Sequence, residues 1–199
     1  MRVYVSNREA IRRFRRWILY TIFCGLYLVG ASAVASSFKV TSVQTHVVGQ
    51  ALSLQGVVDL ALTPAVEEAV GTGIPIQLEI DVRLYRVRPF LWDEKEGTWT
   101  LRRELRYYAL TGQYLINAET GAPVSRETFA SLNEALLQMG SLEDLTLALK
   151  QPLMPQSDYR LELRAGLDIE ALPPLLRPVA YTSRAWDLNS GWTAWRVER

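Results

Sequence analysis

The sequence predicts an all-β domain, a β-sandwich of antiparallel strands with two short helices, behind an N-terminal hydrophobic signal or anchor helix. Three observations predict it. Ile76, Leu78, Ile80, Val82 and Leu84 alternate with Gln77, Glu79, Asp81 and Arg83, the period of a strand with one buried and one wet face. Tyr159, Leu161, Leu163 and Ala165 repeat that pattern against Arg160, Glu162 and Arg164. Other short apolar segments recur at roughly regular spacing between Gly, Pro and Asn turns, as they do in sandwiches.

The N-terminal segment is a different kind of sequence. Trp17 to Ala35 carries no charge, and Arg2, Arg8, Arg12, Arg13, Arg15 and Arg16 precede it. It closes on Ala33-Val34-Ala35, followed by Ser36. A basic region, an apolar run and an A-x-A site describe a secretory signal peptide. The uncharged run is also long enough to span a bilayer. Cleavage before Ser36 and retention as an inner-membrane anchor both remain open, and the Ala33/Ala35 spacing favours cleavage. In either case the arginines stay cytoplasmic. The domain is expected in the periplasm, soluble or tethered. The expected division is therefore residues 1–35 as signal or anchor and residues 36–199 as a single exported domain.

The elements of that domain are read in order. Lys39 to Val48 and Ala51 to Leu60 read as strands around Gly49-Gln50, with Gly56 marking a bulge. Thr63-Pro64 opens a helix to Val70, because threonine caps well and proline suits the first position. Glu67 and Glu68 favour its first turns, and Gly71 and Gly73 stop it. The alternating strand from Ile76 ends at Arg88-Pro89, and a loop runs from Phe90 to Gly97. A return strand spans Thr98 to Leu110, with Trp99, Leu101, Leu105, Tyr107 and Ala109 on the apolar face. Arg103 interrupts that face, which calls for a place near an end or a carboxylate partner.

A short strand follows from Gln113 to Asn117, with Val124 to Arg126 pairing back. Ser131-Leu132-Asn133-Glu134 is a capping box. The helix Leu132 to Met139 then presents Leu132, Leu136 and Met139, with Gly140 as its stop. Leu145, Leu147 and Leu149 alternate as a strand. After the second long alternating strand, Asp168 is placed to cap a helical turn over Ile169 to Leu172. In the tail, Trp186-x-Leu188 and Trp192-x-x-Trp195 around Asn189-Ser190-Gly191 suggest a hairpin of aromatics.

Composition narrows the chemistry. Of 22 basic and 21 acidic residues, six Arg and one Glu lie in residues 1–35. The remainder holds 16 and 20, a net charge of −4. No basic stripe remains to track a nucleic-acid backbone, so no nucleic-acid partner is expected. The one cysteine, Cys24, lies in the apolar run. The domain thus lacks both a disulfide framework and a thiol nucleophile. His46 is the single histidine. Zinc chemistry is starved of ligands, no G-x-S-x-G elbow surrounds a serine, and no glycine-rich phosphate loop exists. No catalytic residue, cofactor or metal is assigned.

Several stretches share a likeness. Leu167 to Pro173, Arg177 to Tyr181, Trp186-x-Leu188-x-Ser190-Gly191-Trp192-x-x-Trp195, Leu105 to Leu110 and Ser131 to Leu136 carry it. Together they resemble the proteobacterial "proline-rich signal peptide protein" family, domain of unknown function 4390. The resemblance covers essentially the whole domain. It implies export. It also implies a gene neighbourhood with a membrane histidine kinase and its response regulator, which points to an envelope-sensing partner. It brings no catalytic residues.

Three function classes follow. The leading one is a non-enzymatic binding or accessory module for a membrane sensor, such as a histidine kinase, or for another envelope complex. Its candidate surface is the Arg88 to Gly97 loop with the aromatic tail, anchored by Trp92, Tyr108, Trp192 and Trp195, since aromatics serve as hot spots. The first alternative is a periplasmic carrier of a small ligand or lipid, which needs an apolar cavity. The second is a carboxylate-based hydrolase, whose acid pair is set only in three dimensions.

Overall fold

The computed structural model describes residues 37–119, 125–143 and 145–197. Ala33, Ala35 and Ser36, and with them the question of signal or anchor, lie outside the described residues. Among the described residues nine strands form two antiparallel sheets. The smaller runs β1 (Phe38–Val48), β2 (Ala51–Leu60), β7 (Leu145–Ala148). The larger has the order β6-β5-β4-β3-β8-β9, with β3 Ile76–Val87, β4 Glu94–Tyr108, β5 Gln113–Glu119, β6 Ser125–Phe129, β8 Asp158–Leu167 and β9 Thr193–Arg196. Three short helices accompany them among the described residues, one more than the two expected: α1 (Pro64–Gly71), α2 (Leu132–Gly140) and α3 (Arg177–Thr182). Among the described residues no helix is long and apolar enough to cross a membrane.

One continuous core draws on both sheets. Ile76, Leu78, Ile80, Val82 and Leu84 of β3 are all buried, as are Leu161, Leu163 and Ala165 of β8. Leu52, Leu54 and Val58 of β2 and Leu145 and Leu147 of β7 join the same cluster. Each of these Leu, Ile and Val side chains contributes about 1.5–3 kcal/mol by leaving water. The period-two pattern therefore fixes which face of β3 is inside, because a one-residue slip would expose all five.

The ends of the elements follow local chemistry. Gly49 takes φ +59° in the turn between β1 and β2, where Val48 pairs with Ala51. Thr63 Oγ1 accepts from the Val66 N–H and donates to the Ala185 carbonyl, tying α1 to the C-terminal segment. Ser131 Oγ accepts from the Glu134 N–H at the start of α2.

Several expectations are corrected. The bulge sits at Thr41 on β1, not at Gly56. Gly56 is needed because a Cβ there would lie 2.6 Å from the Ser42 carbonyl oxygen. Helix α2 ends at Gly140, one residue beyond Met139, and Gly140 keeps a negative φ. A Cβ at that position would lie 2.0 Å from the Val58 oxygen, so glycine lets the helix close on β2. Strand β4 starts at Glu94, four residues before Thr98, because Glu94 and Lys95 pair with Arg86 and Tyr85. It stops at Tyr108, leaving Ala109 and Leu110 in an exposed turn. Strand β5 extends to Glu119, and β6 runs to Phe129.

Arg103 has neither an end position nor a carboxylate hydrogen bond. Its Nη1 donates to the carbonyls of Gln138 (3.2 Å), Met139 (2.8 Å) and Ser141. It closes the C-terminus of α2, whose last carbonyls have no partner within the helix. Burial lowers its pKa, with Glu127 opposing. Asp168 makes an Asx turn, accepting from the Glu170 N–H, and no helix follows at 169–172. The tail is no hairpin: Asn189 bridges to Gly166, and β9 pairs with β8 and not with residues 186–188.

Candidate functional site

The β3–β4 connection is the most unusual surface of the domain. Proline at 89 removes an N–H and cannot extend the ladder, so β3 ends at Val87. Six residues, Arg88 to Asp93, then reverse the chain. Phe90 has φ +69°, the one non-glycine residue in the left-handed region among the described residues. For a bulky side chain that conformation is an outlier, costing of the order of 1–3 kcal/mol, and it persists only where the surroundings fix it.

Here the surroundings are arginines. Arg88 Nε and Nη2 both donate to the Trp92 carbonyl, at 2.9 and 2.7 Å. The Leu91 N–H donates back to the Arg88 carbonyl at 3.3 Å. Asp93 pairs with Arg160 at 3.0 Å, and Arg88 with Glu94 at 3.3 Å. Arg86 pairs with Glu94 and, at 3.0 Å, with Glu96. The hydrogen bond to Glu94 raises the Arg86 pKa above its ordinary value, against the effect of burial. The clamp presents Phe90, Leu91 and Trp92 outward, and their exposures are 104%, 66% and 90%.

A shallow apolar depression adjoins the loop. It measures about 290 Å³, with Val87, Tyr159, Ala194 and Trp195 among its walls. The Asp158–Arg196 ion pair, 2.8 Å, lies at the same place, and that contact raises the Arg196 pKa. Val87 pairs with Asp158 in the ladder, so tip and depression share one end of the larger sheet.

The four predicted anchors do not form one patch. Trp92 is at the loop tip. Trp195 pairs with Leu161 on the core-facing side of β9 and lines the depression. Trp192 lies against the outer face, 3.8 Å from the Arg83 guanidinium and 5.2 Å from that of Arg164. It pins the tail there as a cation–π contact. Tyr108 is at the far end of β4, some 14 residues from Glu94, which is about 45 Å of strand. The remaining outer face is a lattice of paired charges: Glu79–Arg102, Asp81–Arg164 and Glu104–Arg106.

Phe90 and Leu91 lie in the expected Arg88 to Gly97 surface but were not among its expected anchors. Their signal was present: three successive apolar residues between Arg88-Pro89 and Asp93-Glu94 fit neither a strand nor a helix period. His46 is exposed on β1, opposite Ser53. Among the described residues no group of three His, Cys, Asp or Glu is placed to hold a metal ion.

Comparison with curated proteins gives no match, and neither does comparison with solved structures. A family model does match. It covers residues 35–196, which takes in every strand from β1 to β9, and the chain therefore belongs to the family described as Domain of unknown function (DUF4390).

Proposed function

We propose that this chain is an exported envelope protein whose domain, read as a β-sandwich, is a non-enzymatic binding module. Its partner is a membrane sensor, such as a histidine kinase, or another envelope complex. The observation that carries the reading is the clamped Phe90-Leu91-Trp92 tip. Two adjacent exposed aromatics held on a strained backbone support a contact role, since such strain clusters at binding sites. The depression at Val87 and Trp195 adds apolar area beside it. Export is supported by the arginines before Trp17 and the small-residue exit at Ala33 and Ala35. The periplasmic setting and the proteobacterial "proline-rich signal peptide" reading belong to the same proposal.

The test is the full chain carrying Phe90→Ser and Trp92→Ser, compared with wild type in crosslinked cells. Loss of the envelope adducts at unchanged protein level supports the module. Identical adducts from both chains overturn it.

The depression favours one second reading, a small-ligand carrier, since its volume approaches the roughly 300 Å³ lower bound of ligand sites. Native mass spectrometry that finds a bound species, lost on Trp195→Ala, would support it.

A further inference from the structure

We propose that the Phe90-Leu91-Trp92 tip inserts into the headgroup–acyl boundary of a lipid bilayer, so that this end of the domain is a peripheral membrane anchor. The inference rests on the binding-module reading and adds to it: the tip that meets a membrane-embedded partner also enters the lipid beside that partner. The first argument is shape. The three side chains project from a hairpin end, and their exposures show that nothing in the domain covers them. Their apolar area is of the order of 500 Å² at 150–250 Å² per aromatic, below the roughly 800 Å² a partner contributes to a stable protein interface. A bilayer demands no matching wall. Aromatic side chains are favoured at its boundary.

The second argument is the polar inventory just behind the tip. The Trp92 carbonyl is doubly bonded by Arg88, and the Leu91 N–H is taken up by the Arg88 carbonyl. Immersing these groups therefore forfeits few hydrogen bonds to water, the condition a low-dielectric phase imposes on backbone.

The third argument is charge. The collar below the tip holds Arg86, Arg88, Lys95 and Arg160 against Asp93, Glu94 and Glu96. Arg86, Arg88 and Arg160 pair with those three carboxylates. Among the described residues Lys95 and Lys150, beside this ring, make no ion pair, and both are exposed, so they can stay among the headgroups. An excess of two positive charges adds little to apolar insertion, so association is expected on neutral vesicles and is nearly insensitive to salt.

The test uses the full chain with Cys24→Ser and Leu91→Cys, labelled at position 91 with an environment-sensitive fluorophore. Phosphatidylcholine vesicles carry nitroxides at the headgroup or deep in the acyl chain. Leu110→Cys, in the exposed β4–β5 turn, is the reference, so binding through residues 1–35 does not confuse the readout. The expected result is a blue shift at 91. Headgroup nitroxide should quench it at least about threefold more than at 110, unchanged at high salt. Adding Phe90→Ser and Trp92→Ser should abolish the shift. A label at 91 that stays in water while the chain is on vesicles overturns the proposal. So does quenching that requires anionic lipid and vanishes in salt. A label shielded only by an envelope protein also overturns it, and leaves the binding-module reading standing.

Discussion

Replacing Gly140 by alanine should reverse the sign that helix propensity alone gives. Alanine in place of glycine ordinarily stabilises a helix by up to about 1 kcal/mol. At the end of α2 the new methyl would lie 2.0 Å from the Val58 carbonyl oxygen and 3.1 Å from its carbonyl carbon. A relaxed carbon–oxygen contact is about 3.3 Å, so helix or strand must yield by more than an ångström. Neither is loose: Val58 pairs with Val40 in the ladder, and Arg103 grips the α2 carbonyls. Overpacking of this kind costs about 1–3 kcal/mol, sometimes more. After the propensity gain, the net loss is about 1 kcal/mol. With a urea slope of about 2 kcal/mol/M, the midpoint falls by about 0.5 M. Gly71→Ala is the matched control, since a Cβ at that last residue of α1 meets nothing within 4 Å. It should gain about 0.5 kcal/mol. Tryptophan fluorescence in urea reads both. A Gly140→Ala midpoint at or above wild type would refute the close approach of α2 to β2.

Arg103→Met should cost about 2–4 kcal/mol in the same assay, because it strands the C-terminal carbonyls of α2, with Arg103→Lys recovering part. Phe90→Gly relieves the left-handed strain of the tip, so thermal unfolding should be unchanged or shifted upward while envelope adducts are lost. A clear drop in midpoint would show that Phe90 is packed, contrary to its exposure. Tyr181 donates to Glu170, and this hydrogen bond raises its phenol above its ordinary pKa of 10.0. The neutral phenol is the form the fold favours. Its contribution is therefore complete below the ordinary value and is lost as pH rises through the elevated one. The ultraviolet difference titration between wild type and Tyr181→Phe should show one phenol ionising above the usual range.

What the sequence made legible is what period and capping encode. The β3 alternation, the Gly49-Gln50 turn, the Thr63 and Ser131 caps and the β8 face all depend on neighbours a few residues away. The misses depend on partners distant in the chain. Gly140 reads as a helix stop until Val58 is seen beneath it. Arg103 reads as a broken stripe until the α2 carbonyls, some 36 residues on, are seen above it. Glu94 to Glu96 read as loop because charge suggests solvent, yet Arg86 neutralises two of them inside a ladder. Trp192 and Trp195 looked like one aromatic patch. Pairing with β8 sends them to opposite faces, because Trp195 follows Leu161 inward and Trp192 stacks on outward arginines. The apolar run at Phe90 was visible, but its positive φ was not, since a backbone angle on an aromatic leaves no mark in composition.

A binding role for this domain requires that the β3–β4 tip touch the envelope. The direct measurement places a photoreactive amino acid at position 91, and separately at position 110, in the full chain expressed in cells. Both positions are exposed hydrophobics, and they lie at opposite ends of β4. The account predicts adducts with envelope components at 91 and none at 110. Equal adducts at both, or adducts at 110 alone, would contradict it.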